Sequence, residues 1–283
     1  MGTVRLAVGV PTAMKVRRLS IDFSGTPAHW AAVPEFAQMM NASSLWIPPL
    51  ERFLNQVMAR AAGTLKDDDP QTARIRADVR TFIRQESNHY AMHGAFNAVL
   101  PNNGYDVKEF ELLFEAEFKK LLSTKSLPFL CAYCEGFETL GPPSALIWLD
   151  EIGDLLEGAR PEVIKLWKWH LMEEYEHRAV CHDVYHAVHG GYFLRVYGMF
   201  FHYFQMAHFT GMVLNRLLMR DRQDLTRAQV KASRRRTRRV ALRIAWLTWS
   251  RALKALSPFY TPRKAREPQM FRSYMAAIEA ELA

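Results

Sequence analysis

Apolar residues recur along this chain at intervals of three and four, and strict alternation is hardly visible. The pattern therefore predicts helices rather than strands. Residues 45–62 place Leu50, Leu54, Val57, Met58 and Ala61 on one side of a helix. Residues 71–100 carry a second stripe, Val79, Phe82, Ile83, Phe96 and Leu100, closed by Pro101 and Gly104. A third helical stretch covers 106–140, broken near Pro128 and stopped by Gly141, Pro142 and Pro143. A short helix at 143–157 follows. A long one at 161–189 has Pro161 in its first turn and Gly190 and Gly191 at its end. Three more are expected at 192–220, 225–256 and 268–282. Connections of about 4–10 residues suit antiparallel neighbours. The expected fold is all-α: an irregular lead-in over 1–44, a four-helix bundle over 45–190, and additional helices over 191–283 packed on it.

Composition narrows the classes. With 283 residues, 49% of them hydrophobic, the chain can bury a core, which excludes disorder as a whole. Cys131, Cys134 and Cys181 cannot frame a disulfide scaffold, and the Cys131–Cys134 pair lacks the second pair of a four-thiolate zinc site. A reducing, cytoplasmic setting is the natural expectation. The apolar run at 6–14 is interrupted by Pro11 and followed, not preceded, by Lys15, Arg17 and Arg18, so it does not read as a secretory signal. Met14 is an alternative start.

The net charge of +8 is local. Residues 221–283 hold 15 Lys+Arg against 5 Asp+Glu, whereas the rest hold 22 against 24. The segment 196–214 has no formal charge and is long enough to span a bilayer. Yet His202, Gln205, His208 and two glycines lower its hydropathy, which favours a helix packed on the bundle or lying at an interface. The basic run 234–239 then leads into the Trp-rich 240–249. That join fits peripheral contact with an anionic membrane through 192–256, and it also fits a solvated helix face. Nucleic acid is not expected, because no recognition fold accompanies the charge.

The chemistry sits in two Glu-x-x-His pairs, Glu86 with His89 and Glu174 with His177. Positions i and i+3 share a helix face, so each pair can offer a carboxylate and an imidazole to one metal ion, and two such helices can hold two ions between them. Glu51 and Glu135 stand among apolar neighbours, where a bare carboxylate is costly. Four carboxylates against two divalent cations balance to zero, which groups Glu51, Glu86, Glu135 and Glu174. His170, four residues before Glu174, is a third imidazole candidate. His93 extends the Glu86–His89 series, expected to orient a ligand or hold the core, with a role as ligand or proton carrier as the alternative. Glu138 competes with Glu135, Asp183 is a candidate to orient a ligand His, and His182, His186 and His189 read as a partly exposed face.

At these residues the sequence resembles a family described as predicted metal-dependent hydrolases, itself similar to the ferritin-like carboxylate superfamily. The resemblance covers about 15–200. It rests on the blocks 16–23, 41–45, 49–53 and 84–89 with His93, and 169–180 with 183–185. The family usually has Gly before the first Glu and His after the third; here Leu50 and Gly136 stand there, and the Gly136 change is expected to alter the wall beside the third ligand. The spacing of His170, Glu174 and His177 also looks like that of the di-iron arylamine N-oxygenases. Carried over, that likeness implies seven ligands: Glu51, Glu86, His89, Glu135, His170, Glu174 and His177. It further implies two iron ions, with manganese as the alternative, and O2 as co-substrate.

The leading expectation is a di-iron oxygenase or oxidase acting on a small or lipid-like substrate, with Tyr133, Phe137, Phe82 and Phe96 lining an apolar channel. An external electron donor is implied, since no flavin or nicotinamide motif is present. Metal-dependent hydrolysis by a metal-bridged water is the alternative. A non-catalytic metal-binding protein ranks third. A homodimer is the assembly expected if the chain is not monomeric.

Overall fold

The computed structural model describes residues 14–65, 69–265 and 267–282. The apolar run before Met14 lies outside them. Among the described residues every regular element is helical. The main helices are α1 (Pro34–Thr64), α2 (Pro70–Asn97), α3 (Lys108–Thr124), α4 (Leu127–Leu146), α5 (Pro161–His177), α6 (Val180–Val188), α7 (Tyr192–Asp221), α8 (Arg227–Ala252) and α9 (Gln269–Leu282). Helices α1, α2, α5 and α4 form a closed ring, each packed against the next. Helix α7 lies along α4 and α1, α3 covers α1, α8 packs on α4 and α1, and α9 on α5.

Local sequence explains most boundaries. Asp69 caps α2 by accepting from Gln71 N, with Pro70 in its first turn. Thr226 and Gln229 close a reciprocal cap at the start of α8. Gly104 and Gly190 take φ of +78° and +73° just past helical segments, where a side chain would be strained.

Three boundaries differ from the pattern. Helix α1 starts at Pro34 rather than near 45. Polar Asn41, within the expected lead-in, is buried and bonded in the helix: it accepts from Trp30 Nε1 at 2.9 Å and donates to Ala28 O at 2.9 Å. Helix α4 runs through Pro142 and Pro143 to Leu146, where a π-helical turn over Ile147–Glu151 continues it. The buried flank of α4 holds the chain there despite the two missing N–H groups. The expected helix at 161–189 breaks at Arg178 and Ala179 into α5 and α6.

Helix α7 approaches α4 unusually closely. A Cβ at Gly136 would lie 2.5 Å from Met199 Cα, and one at Gly198 would lie 2.6 Å from the Ala132 carbonyl. Gly136 thus sets a backbone contact between α4 and α7. The uncharged segment 196–214 is the interior of a packed helix, and no helix among the described residues is long and apolar enough to cross a membrane.

Candidate metal centre

Inside the ring, six donors converge: Glu51 from α1, Glu86 and His89 from α2, and His170, Glu174 and His177 from α5. They form two overlapping groups. Glu51, His89, His170 and Glu174 make one; Glu86, His89, Glu174 and His177 make the other; within each group the donor atoms lie within 4.8 Å of one another. None of the six is more than 2% exposed. Glu174 is central: its Oε1 is 3.1 Å from His170 Nε2, 3.8 Å from His89 Nδ1 and 3.9 Å from His177 Nε2. The helical period produces this directly, because His170, Glu174 and His177 recur on one face of α5.

The atoms that converge are the ones without partners. Both oxygens of Glu51, Glu86 and Glu174, with His89 Nδ1 and His177 Nε2, are buried and have no hydrogen-bond partner among the described residues. His177 Nε2 approaches Glu86 Oε1 to 3.1 Å without the alignment of a hydrogen bond. Leaving so many buried polar atoms without partners is costly, and bound cations would remove that cost.

Each imidazole is also held so that one nitrogen faces the centre. Carboxylates only accept, so His89 Nε2 donates to Glu173 Oε2 at 3.0 Å and leaves Nδ1 facing inward. Glu173 is in turn held by Arg17 Nη1 at 3.2 Å, and Arg17 also grips Glu176. His177 Nδ1 donates to Glu138 Oε2 at 3.0 Å and leaves Nε2 inward. For His170 the orientation can be traced back to a proline. Pro48 has no N–H, so the Ser44 carbonyl loses its intrahelical donor. Asn97 Nδ2 donates to that carbonyl at 3.2 Å, which makes Asn97 Oδ1 the acceptor for Ser44 Oγ–H at 2.6 Å. Ser44 Oγ must then accept from His93 Nδ1, 2.8 Å away, and His93 Nε2 must accept from His170 Nδ1, also 2.8 Å away. His170 Nε2 is left as a lone pair aimed at Glu51 and Glu174. Such outer partners fix tautomer and ring orientation in metal sites.

The electrostatics of the metal-free protein point the same way. Burial, then the neighbouring Glu86, Glu174 and Glu138 carboxylates, push Glu51 well above the usual carboxylate range. Burial works against ionising Glu86, yet His177 and His89 outweigh it and hold Glu86 at about 2. Burial opposes charge on His89, but Glu173 and Glu86 raise it to about 9. Burial, then His170 and His89, hold His93 well below the ordinary histidine range, consistent with the neutral relay above. A proton on His89 Nδ1 occupies the place a cation would take. The donor set, nitrogen with carboxylate oxygen and no thiolate, fits iron, manganese or zinc. Aromatic edges seal the centre: Phe82 lies against His177 and Trp169 against His89, with centroids 4.8 and 4.9 Å apart.

The expected residues divide as follows. Glu51, Glu86, His89, His170, Glu174 and His177 are brought together. Glu135 is not: its Oε1 meets His182 Nδ1 at 3.1 Å and Arg195 Nη1 at 3.5 Å, away from the cluster. The α4 carboxylate beside the centre is Glu138, one turn on. Its Oε1 has no hydrogen-bond partner, and it restores the count of four carboxylates against two divalent ions. Asp183 pairs with Arg263 and Arg74 instead of orienting a histidine. His182 is buried, while His186 and His189 are exposed. Glu173 and Arg17 were missed as functional candidates; Arg17 lies in the matched block 16–23, but nothing local distinguishes it. Glu173→Ala is expected to weaken metal binding about 10–100-fold while the fold survives, as judged by a competitive chelator titration alongside circular dichroism.

A cavity of about 540 Å³ reaches the centre at His170 and Glu174. Its wall is mainly apolar, with Met39, Trp46, Phe137, Trp148 and Met206 among the lining side chains, and it opens between α7 and α8 beside Tyr203, Leu242 and Ala245. Of the aromatics expected there, only Phe137 lines it. Tyr133 packs on Phe53 and donates to Gln205, and Phe96 packs on Phe23. His202 also lines the cavity. Burial lowers its imidazole to about 3, and its Nδ1 has no partner among the described residues.

A family model described as predicted metal-dependent hydrolase matches residues 15–266, which includes every residue of this centre. No curated protein and no solved structure matches the chain.

Proposed function

The chain belongs to that family of predicted metal-dependent hydrolases, and on that premise we propose that it is a two-metal enzyme hydrolysing an apolar substrate admitted through the α7–α8 cavity. The observation that carries the metal reading is the set of unpartnered donors converging from α1, α2 and α5. Glu51 with His170 would hold one ion and Glu86 with His177 the other, with Glu174 within reach of both, His89 offering its one inward nitrogen to either, and Glu138 closing the charge balance. Two divalent ions so held supply an acidified water and a polarised carbonyl. The protein's own contribution is threefold. Glu173, Glu138 and His93 keep the three imidazoles in the metal-facing tautomer. The aromatic edges exclude bulk water. The cavity admits a chain-like apolar group, with neutral His202 free to hydrogen-bond a carbonyl or hydroxyl on it.

A second reading has its own support. The centre combines three imidazoles with carboxylates, is deeply buried, and is entered through an apolar wall. Those features suit oxidation of an apolar substrate by O2 at two irons, with electrons from an external donor. One experiment separates the two. Protein loaded with iron or manganese is offered acyl esters of increasing chain length, with ester cleavage and O2 uptake recorded together. Metal-dependent cleavage that rises with chain length supports hydrolysis. Substrate-dependent O2 uptake without cleavage supports oxidation. Filling the cavity mouth by Ala245→Trp is expected to lower kcat/KM for long-chain substrates at least about tenfold while metal content stays unchanged, since a blocked entrance acts on access alone.

A further inference from the structure

The cavity does not open onto an ordinary polar surface. Along the two helices that frame its mouth, α7 exposes Phe193 (85%), Tyr197 (54%) and Phe204 (63%), and α8 exposes Leu242 (58%) and Trp246 (73%), with Leu253 just beyond its end. Phe200 and Tyr203 pack on Trp249, at centroid distances of 5.4 and 4.8 Å, so the two helices present one continuous aromatic surface. Successive turns of the same α8 face carry Lys231, Arg235, Arg238 and Arg239, all exposed. The arginines that do pair with acids lie elsewhere on α8: Arg236 with Glu35, Arg243 with Asp154 and Arg251 with Glu151. The outward basic residues have no ion-pair partner among the described residues. One helix face thus runs from unpaired cations to exposed Leu and Trp, and the entrance to the centre lies beside it.

We infer that this α7–α8 face docks on an anionic lipid surface and that the cavity takes its substrate directly from that surface. The charge decides the occupant. A second copy of this face offers those cations no anion, since 192–220 and 227–252 hold no Asp or Glu, whereas an anionic leaflet complements them and accepts the aromatic side chains at headgroup depth. Peripheral contact is the geometry the fold allows, because none of the described helices can cross a membrane. The substrate is then an amphiphile that partitions into the leaflet and enters the cavity beside Leu242 and Ala245, within reach of the Arg238 and Arg239 charges. That part rests on the cavity being the substrate path; the docking itself does not, and it is read without turnover.

The test is sedimentation of the full chain with phosphatidylcholine vesicles, with and without phosphatidylserine. Binding is expected only to the anionic vesicles, weakening as salt is raised. The triple variant R235Q/R238Q/R239Q should bind about a hundredfold more weakly, the summed effect of three cationic side chains at an anionic leaflet. Phe204→Ser with Trp246→Ser should lose binding while retaining metal content and helicity. Equal binding to both vesicle types would overturn the inference. So would absence of binding, or self-association abolished by Trp246→Ser in place of vesicle binding.

Discussion

Glu174→Gln is expected to take the metal content of the chain from two ions to none and to lower activity by at least about a hundredfold. Glu174 is common to both donor groups, and its Oε1 lies within 3.9 Å of all three metal-facing imidazoles. Outer-shell partners in metal sites already govern affinity by about 10–100-fold, so a shared first partner governs more. Glutamine preserves shape and removes charge. In the metal-free protein that change removes both the repulsion of Glu51 and the attraction for His177, two opposing effects. The variant should therefore melt close to the temperature of the metal-free parent while failing to gain stability from added metal. Calorimetry with and without Mn(II), beside elemental analysis, reads both effects. Glu51→Gln and Glu86→Gln, each confined to one group, should lose one ion each.

Removing the metals should reverse the pH dependence of stability. Without metal, burial and the neighbouring carboxylates raise Glu51, and burial raises Glu138 although His177 opposes it. Burial opposes charge on His89 and His177, but their carboxylate neighbours raise both, His89 to about 9. All four bind protons more tightly folded than unfolded. Between about pH 6.5 and 9 the native state holds more protons, so stability falls as pH rises, by about 1.4 kcal/mol per pH unit for each excess proton. The depressed groups His93, His170, His186 and His202 oppose this only at the lower edge of that window, where the unfolded chain still holds part of their protons; by about pH 7.5 they are neutral in both states. Bound metal displaces those protons and competes best where they are scarce, so the loaded protein should gain from the metal as pH rises. The metal-free melting temperature should drop by several degrees from pH 6.5 to 9, while the increment from metal grows. A metal-free protein that became more stable with rising pH would contradict the electrostatics described here.

The helical period made much of this centre legible. Glu86 with His89, and His170 with Glu174 and His177, share helix faces whatever the tertiary structure, and they meet as their spacing requires. Glu51 was readable because an acid among leucines needs a partner. The same argument selected Glu135 over Glu138, and here it misled. Both are buried on α4, but the cation near Glu135 is Arg195, supplied by α7 from sixty residues away, and no local pattern reveals that contact. Polar Asn41 and Ser44 looked like loop residues because their partners, Trp30, Asn97 and His93, lie on other segments. Pro142 and Pro143 looked like a stop because propensity is local, whereas tertiary packing carries α4 past them. The entrance was not readable at all, since it depends on how α7 and α8 lie against each other.

The most direct measurement is anomalous scattering from crystals grown with iron or manganese, with data collected on both sides of the metal absorption edge. Two peaks inside the ring are expected, one bounded by Glu51 and His170 and the other by Glu86 and His177, with Glu174 reaching both. A peak at Glu135 and His182, or an empty ring in crystals that hold the metal elsewhere, would contradict the account.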